Sequence, residues 1–412
     1  MTDAFPPVCG GSGWSTYELA RALRARGHHV AIVQAKAGVA GIRQTRYDGF
    51  DVEEFGAAAP DVPFLRNYVK SERLTRSLTA FLRERLSRER FDVVHGQHVM
   101  TTVASIAAAR AANVASVATV RDYWPVCYWS DLRITRDGLT LCPECSAGNM
   151  AKCVRPRAGS LWPAALPLIP YMRSNLAWKR EGLAQADAII AVSSTIAADL
   201  RSRAPELKAS RIETIPNPVD VQALRSTAAA RPAGAPSEPY ALYLGKLALN
   251  KGTDFLIGVV AASGLDWPLI VAGEGPDRAA LQQKAAASGR DIRFTGWVDR
   301  DEAARLLAHA ALLIFPSRGP ESLSRVLIEA SALGTPIAAM DTGGTRDIID
   351  PGVTGLLSST PDQLAADVGR LRADEALRSR LASGAQRKIE REFDSAAVAA
   401  RVEALYSELA RR

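Results

Sequence analysis

Short apolar runs separated by amphipathic stretches recur along the whole chain. Runs of four to six apolar residues flanked by Gly, Pro or Asp read as strands buried on both faces of a parallel sheet. Stretches with apolar positions three and four apart read as helices packed on them. In the first half the strands fall near 29–35, 92–95, 115–120 and 187–193, and in the second near 240–245, 268–273, 291–295, 311–315 and 335–340. This alternation predicts an α/β protein of two doubly wound, Rossmann-like domains facing a cleft, with ligands taken at the carboxyl ends of the strands. Between the halves lie Ile215-Pro-Asn-Pro-Val-Asp220 and the Ala/Pro-rich segment 227–239, a composition that suits a linker. The expected boundaries are 1–218 for the first domain, 219–239 for the linker, 240–392 for the second domain and 393–412 for a terminal helix. That helix carries Val398, Val402, Leu405 and Leu409 on one face.

The stretch 311–334 is the richest in chemistry. Ala311–Phe315 is a strand-like run, Pro316–Pro320 break it, and a helical pattern starts near Glu321 and ends at Gly334. A strand, a loop and a helix N-terminus in that order make an anion site from free N–H groups and the positive end of the dipole. Glu321 and Glu329 are eight residues apart, roughly 12 Å along a helix, the reach from the sugar to the ribose of a sugar nucleotide. In that reading one carboxylate holds sugar hydroxyls, the other the ribose diol, and the amides of Leu323 and Ser324 the diphosphate between them. Two solvated glutamates on an ordinary helix are the alternative.

Composition narrows the picture only modestly. Over 412 residues, 47% hydrophobic and 23% charged is ordinary for a globular protein. No apolar run reaches the ~20 residues of a membrane span and no signal peptide is visible, so a cytoplasmic protein is expected. A net charge of +7 points to anionic partners, either phosphates or the anionic inner face of a membrane. The basic residues are spread along the chain without a nucleic-acid motif, so no nucleic acid is expected. Residues 155–181 interleave Arg and Lys with Leu, Trp and Tyr, which suits either a peripheral membrane contact or a helical segment packed on the first domain.

Cys127, Cys142, Cys145 and Cys153 fall within one insertion, 125–160. A Cys-x2-Cys pair with two more cysteines nearby suits a structural zinc; free or redox thiols are the other reading. Asp299-Arg300-Asp301 has the look of a metal-binding Asp-x-Asp, but its place before a helical pattern makes aspartate a cap there.

The run Glu321-x7-Glu329, Ala330-Ser-Ala-Leu-Gly334-Thr-Pro336, Asp341-Thr-Gly-Gly344 and Gly352-Val-Thr-Gly355-Leu-Leu resembles the retaining glycosyltransferases of the GT-B fold, the large GT4-type family. The resemblance extends over nearly the whole chain. It implies transfer from a UDP- or GDP-sugar to a glycan, lipid-linked or small-molecule acceptor, no metal in catalysis, and a C-terminal helix crossing back to the first domain. By the same resemblance Gly245-Lys246 and Lys251-Gly252 face the diphosphate, with Lys246 where relatives carry arginine. Ser322 and Ser324 stand beside the sugar, and Val298 meets the base. Gly10, Gly11 and Gly13, ahead of a helix expected from about Trp14 to Arg26, face the donor phosphates and the acceptor. His98 lies near the acceptor. Arg121 stands where many relatives have a histidine. It stays protonated and cannot act as a base, so it either binds the donor or an anionic sugar or is a surface residue at a strand end. That departure keeps an inactive nucleotide-sugar-binding protein as the rival. A dinucleotide enzyme is disfavoured, because neither half has a clean Gly-x-Gly-x-x-Gly followed by an acid.

The start of the chain carries one more expectation. A doubly wound domain places its first strand centrally, just before the glycine-rich loop, and only Met1–Phe5 precede Pro6-Pro7 here. Roughly five to ten further apolar residues at the natural N-terminus are therefore expected.

Overall fold

The computed structural model of the chain describes residues 1–37, 41–57, 68–134, 140–232 and 234–411. Parts of the expected insertion (135–139) and linker (233), and Arg412, lie outside them. The chain divides into two compact units. One comprises Met1–Leu132, Cys142–Pro218 and Val398–Arg412; the other comprises Val219–Ala397 with Arg133–Leu141.

In the first unit, β4 (Val93–Gly96), β5 (Ala115–Val120), β6 (Ala188–Ala191) and β7 (Ile212–Thr214) form a parallel sheet in that order. A second sheet has the order β1 (Ile32–Ala37), β3 (Phe50–Ala57), β2 (Gly41–Tyr47), with β2 antiparallel to β3. Residues 1 and 2 join the sheets. The Thr2 N–H donates to Val33 O and the Ala35 N–H to Thr2 O, while the Gln97 N–H donates to Met1 O and the Met1 amine to His95 O. Thr2 thus makes a single parallel bridge to Gln34 at the place of the expected central strand. A cavity of about 350 Å³ beside Met1 is lined by Leu19, Leu23, Ile32, Val93 and Tyr406.

The terminal helix Ser395–Ala410 buries Val398, Val402, Leu405 and Leu409 against Leu19, Leu23, Val117, Ile190 and Ile215 of the first unit. Their spacing is the one-sided apolar stripe of the sequence, and it now has its partner.

The second unit has one six-stranded parallel sheet, ordered β10 (Ile292–Gly296), β9 (Leu269–Ala272), β8 (Ala241–Leu244), β11 (Leu312–Phe315), β12 (Ile337–Met340), β13 (Leu356–Ser358). The strand order reverses direction at β8 and β11, the place where a doubly wound sheet opens a crevice at its carboxyl edge. The residues of β8, β9, β11 and β12 are almost wholly buried, which is why they read as unbroken apolar runs. The linker expectation fails in part. Val221–Ala228 is a helix capped by the Asp220 carboxylate, which accepts from the Ala223 N–H at 2.8 Å, with Leu224 buried.

Candidate active site

Within the second unit the carboxyl ends of β8 and β11 bring together the loops that carry Lys251 and Glu321. The loop after β11 is clamped to the loop after β8: the Asn250 carbonyl accepts from the Arg318 and Gly319 N–H groups at 3.0 and 2.8 Å and from Ser317 Oγ at 3.2 Å. Gly252 has φ +74°, and a Cβ there would stand 2.0 Å from the Pro316 carbonyl oxygen, so only glycine permits this approach.

The Glu321 carboxylate is buried and engaged. Its Oε1 accepts from Lys251 Nζ at 2.5 Å and from Ser317 Oγ at 2.5 Å. Its backbone is held too, by the Gly344 N–H donating to Glu321 O at 2.7 Å. Gly343, at φ +54°, leaves no room for a Cβ, which would fall 2.0 Å from that same oxygen. Tyr243 donates its hydroxyl to Lys246 O at 2.9 Å, and its phenol is pushed well up by burial and by the Glu321 charge nearby. The Lys246 side chain is exposed.

The helix begins later than the sequence pattern implies. It spans Arg325–Leu333 with Ser324 as N-cap, and Glu321–Ser324 form the turn before it. The backbone tie to Gly344, which occupies the Glu321 carbonyl, holds this turn out of helical geometry. The 12 Å helical separation of Glu321 and Glu329 therefore does not apply. The Ser324 side chain makes no capping bond and leaves the first-turn N–H groups to be satisfied otherwise. Ser322 is half-buried; Leu323 and Ser324 are buried. Glu329, buried in the helix, accepts from Arg325 Nε at 2.7 Å, with Arg300 Nε at 3.9 Å. Val298 is half-buried in the loop after β10, beside an exposed Trp297. Gly245 follows β8 and donates its N–H to Ala272 O at 3.0 Å. Asp299 is the cap of helix Arg300–His309, accepting from the Glu302 N–H at 2.8 Å.

In the first unit the glycine-rich segment is helical earlier than expected. The helix spans Gly11–Ala25 with Gly10 as N-cap, so Gly11 and Gly13 lie in its first turn. A Cβ on Gly13 would meet Cys9 Sγ at 2.6 Å, which makes that glycine a packing residue; around Gly10 there is open space. His98 caps the helix Val99–Ala111. Its Nδ1 accepts from the Asp3 N–H at 3.4 Å and pairs with Thr2 Oγ1 at 2.9 Å, while its Nε2 is shielded from solvent and has no partner. Burial and the Arg121 charge push its pKa down to about 3, so it is neutral. Asp3 accepts from the Met100 N–H at 2.9 Å, and burial raises its carboxyl to about 7. Arg121 is buried, not a surface residue, and its guanidinium donates to Asn217 Oδ1 and Gln97 Oε1.

The four clustered cysteines do not assemble as the zinc reading requires. Among the described residues, no group of three or more His, Cys, Asp or Glu side chains is arranged to hold a metal. Cys142 Sγ donates to Glu144 O at 3.0 Å and Cys153 Sγ to Met150 O at 3.3 Å, while Cys127, Cys142, Cys145 and Cys153 lie near enough to act on one another electrostatically. Burial raises the Cys142 and Cys145 thiols and lifts Cys153 to about 11, so all three are protonated.

Sequence reasoning missed Ser317, Asn250, Gly343 and Arg325. A serine four residues before Glu321 gives no pattern of its own, and the role of Asn250 is played by its carbonyl, which any residue would supply.

Residues 9–223 match the family model described as Glycosyltransferase Family 4, and residues 238–374 match that described as Glycosyl transferases group 1. A relative in Streptomyces kanamyceticus, alpha-D-kanosaminyltransferase, is 29% identical over 222 residues, 50% of this chain and 56% of that protein. D-inositol 3-phosphate glycosyltransferase of Xylanimonas cellulosilytica is 32% identical over 263 residues, 59% of this chain and 62% of the relative. The matched stretches thus span little more than half the length of these relatives. Among solved structures, Anabaena Alr3699/HepE in complex with UDP superposes with a TM-score of 0.64 at 19% identity, covering 99% of both chains. At that identity the likeness shows the fold, which is GT-B.

Proposed function

The chain belongs to Glycosyltransferase Family 4, and from that premise we propose that it transfers a sugar, with retention, from a nucleotide-diphosphate sugar to a glycan, lipid-linked or small-molecule acceptor. The observation that carries the reading is the Ser317–Glu321–Lys251 cluster, a buried carboxylate and a half-buried cation held together just before the N-terminus of helix Arg325–Leu333. Lys251, Lys246 and the helix N-terminus would stabilise charge on the leaving diphosphate without a metal. Glu321 would hold sugar hydroxyls through its second carboxylate oxygen while Lys251 and Ser317 keep Oε1, and Glu329, oriented by Arg325, the ribose. The donor is a UDP- or GDP-sugar, and the UDP bound by Alr3699/HepE supports the nucleotide part of this reading. On the acceptor side, the open space at Gly10 is available, while the neutral His98 has its Nδ1 engaged and its Nε2 shielded from solvent.

The test is kinetic. Glu321→Gln and Lys251→Ala should each lower turnover by at least about a hundredfold with the fold intact, as for lost transition-state stabilisers. Glu329→Ala should mainly raise the donor KM. Near-normal turnover in both of the first two variants would remove the site. Absence of both transfer and donor hydrolysis in the unaltered protein, with nucleotide-sugar binding retained, would favour the inactive binding protein.

A further inference from the structure

From Cys145 to Arg180 the chain has six cations, Lys152, Arg155, Arg157, Arg173, Lys179 and Arg180, and no Asp or Glu. The fold sorts them into two sets. Arg157 pairs with Asp131 at 2.6 Å, Arg180 donates to Pro125 O at 2.6 Å, and Lys179 sits over the Tyr128 ring with Asp122 and Glu72 nearby. Those three serve the interior of the first unit. Lys152, Arg155 and Arg173 are exposed.

The apolar residues of the segment are sorted in the same way. Met150, Val154, Ala165, Met172 and Leu176 make a buried cluster, which fixes the helices Ala147–Ala158 and Ile169–Ala184 to each other. Between them the chain runs in short helical turns with Leu161 73% exposed and Pro163, Ala164 and Pro167 exposed beside it. Trp162 is half-buried, with the Arg155 guanidinium 5.3 Å from its ring centre. A leucine this exposed, a tryptophan next to it and cations without one anion are the components of an interfacial surface. The apolar tip enters the headgroup boundary while Lys and Arg stay at the phosphates.

We propose that this face, Leu161 and Trp162 with Lys152, Arg155 and Arg173, docks on the surface of a bilayer that contains anionic lipid. No helix among the described residues is long and apolar enough to cross a membrane, so the contact is peripheral. A protein partner is the weaker fit. Such interfaces carry a rim of mixed polarity and directed hydrogen bonds, and the exposed charges from Lys152 to Arg173 are all of one sign, the exposed anions Glu144 and Glu181 lying outside that stretch. The proposal does not rest on the transferase reading.

Flotation of the full chain with vesicles of phosphatidylcholine alone, and of phosphatidylcholine with phosphatidylglycerol, tests it. Partition onto the anionic vesicles is expected, weakening as salt is raised. The Lys152→Glu, Arg155→Glu double variant should partition at least about twentyfold less, since each cation near such a surface is worth about fivefold. Leu161→Asp should also bind less; if it fails to fold, the charge variants, at exposed positions, carry the test. No partition of the unaltered protein, equal partition onto both vesicles, unchanged partition of the double variant, or recruitment only through an added protein each overturns the proposal. Donor turnover in solution should be the same in the double variant, which separates this result from the status of the donor site.

Discussion

At the scale of single residues, the candidate site turns on how a buried carboxylate is held. Glu321 has two side-chain partners on one oxygen, Lys251 and Ser317, and the serine also donates to Asn250 O. Ser317 is almost fully buried. Its hydroxyl fixes the carboxylate rotamer and ties it to the lysine loop, so it is a positioning residue. Removing a hydrogen bond to a charged group costs about 1.5–3 kcal/mol. Ser317→Ala should therefore lower turnover by about ten- to a hundredfold, with a smaller change in donor KM and a melting temperature within a few degrees of the parent. Ser317→Thr, which keeps the hydroxyl, should recover part of the loss. Steady-state kinetics of the pair check this; a Ser317→Ala enzyme with unchanged kcat would show that the lysine alone sets the geometry.

At the scale of elements, the buried strands were legible because parallel strands covered on both faces leave continuous apolar runs, as in β8, β9, β11 and β12. The pair β2–β3 was not. All but the last residue of β2 are exposed, and Arg43, Gln44, Arg46, Asp51, Glu53 and Glu54 break any apolar alternation. A signal was present nonetheless. Asp48-Gly49, with φ +46° and +73°, is the two-residue turn that suits a tight hairpin. The start of helix Arg325–Leu333 was misread for a different reason: Glu321–Ser324 contain nothing that disfavours helix, and what holds them in a turn is the distant Gly343–Gly344 backbone. That loop permits a paired prediction. Gly343 and Gly352 both have left-handed φ, +54° and +75°, but a Cβ meets Glu321 O at 2.0 Å in the first and nothing within 4 Å in the second. Gly352→Ala should cost about 1 kcal/mol, the backbone term alone. Gly343→Ala should cost at least about twice that and also raise the donor KM, because the neighbouring backbone must move. Denaturant midpoints and kinetics of the two variants check it, and equal stability losses would mean that the Glu321 loop yields freely.

At the scale of the whole molecule, the chain builds two α/β units and uses its last residues to finish the first. The helix Ser395–Ala410 closes the cluster that contains Leu19, Val117 and Ile190. Around that apolar seam lie polar ties. Arg26 and His28 meet Glu403, Arg211 meets Glu408 at 2.7 Å, and Tyr406 meets the half-buried His95 ring at 2.5 Å. The exposed ion pairs add little; the buried leucines and valines carry the association. Leu405 is nearly fully buried, so Leu405→Asp puts an unpaired carboxylate into an apolar seam, a change expected to cost at least about 3–4 kcal/mol. The consequence should be confined to one unit. Hydrogen exchange should quicken at the amides of β4, β5, β6 and β7, whose sheet the helix covers, while the amides of β8, β9, β11 and β12 keep their protection. Glu403→Gln, which loses only surface pairs, should change neither set. Equal loss of protection in both sheets of the Leu405→Asp variant would mean that the two units unfold as one cooperative body, and that the terminal helix stabilises the molecule as a whole instead of completing its first unit.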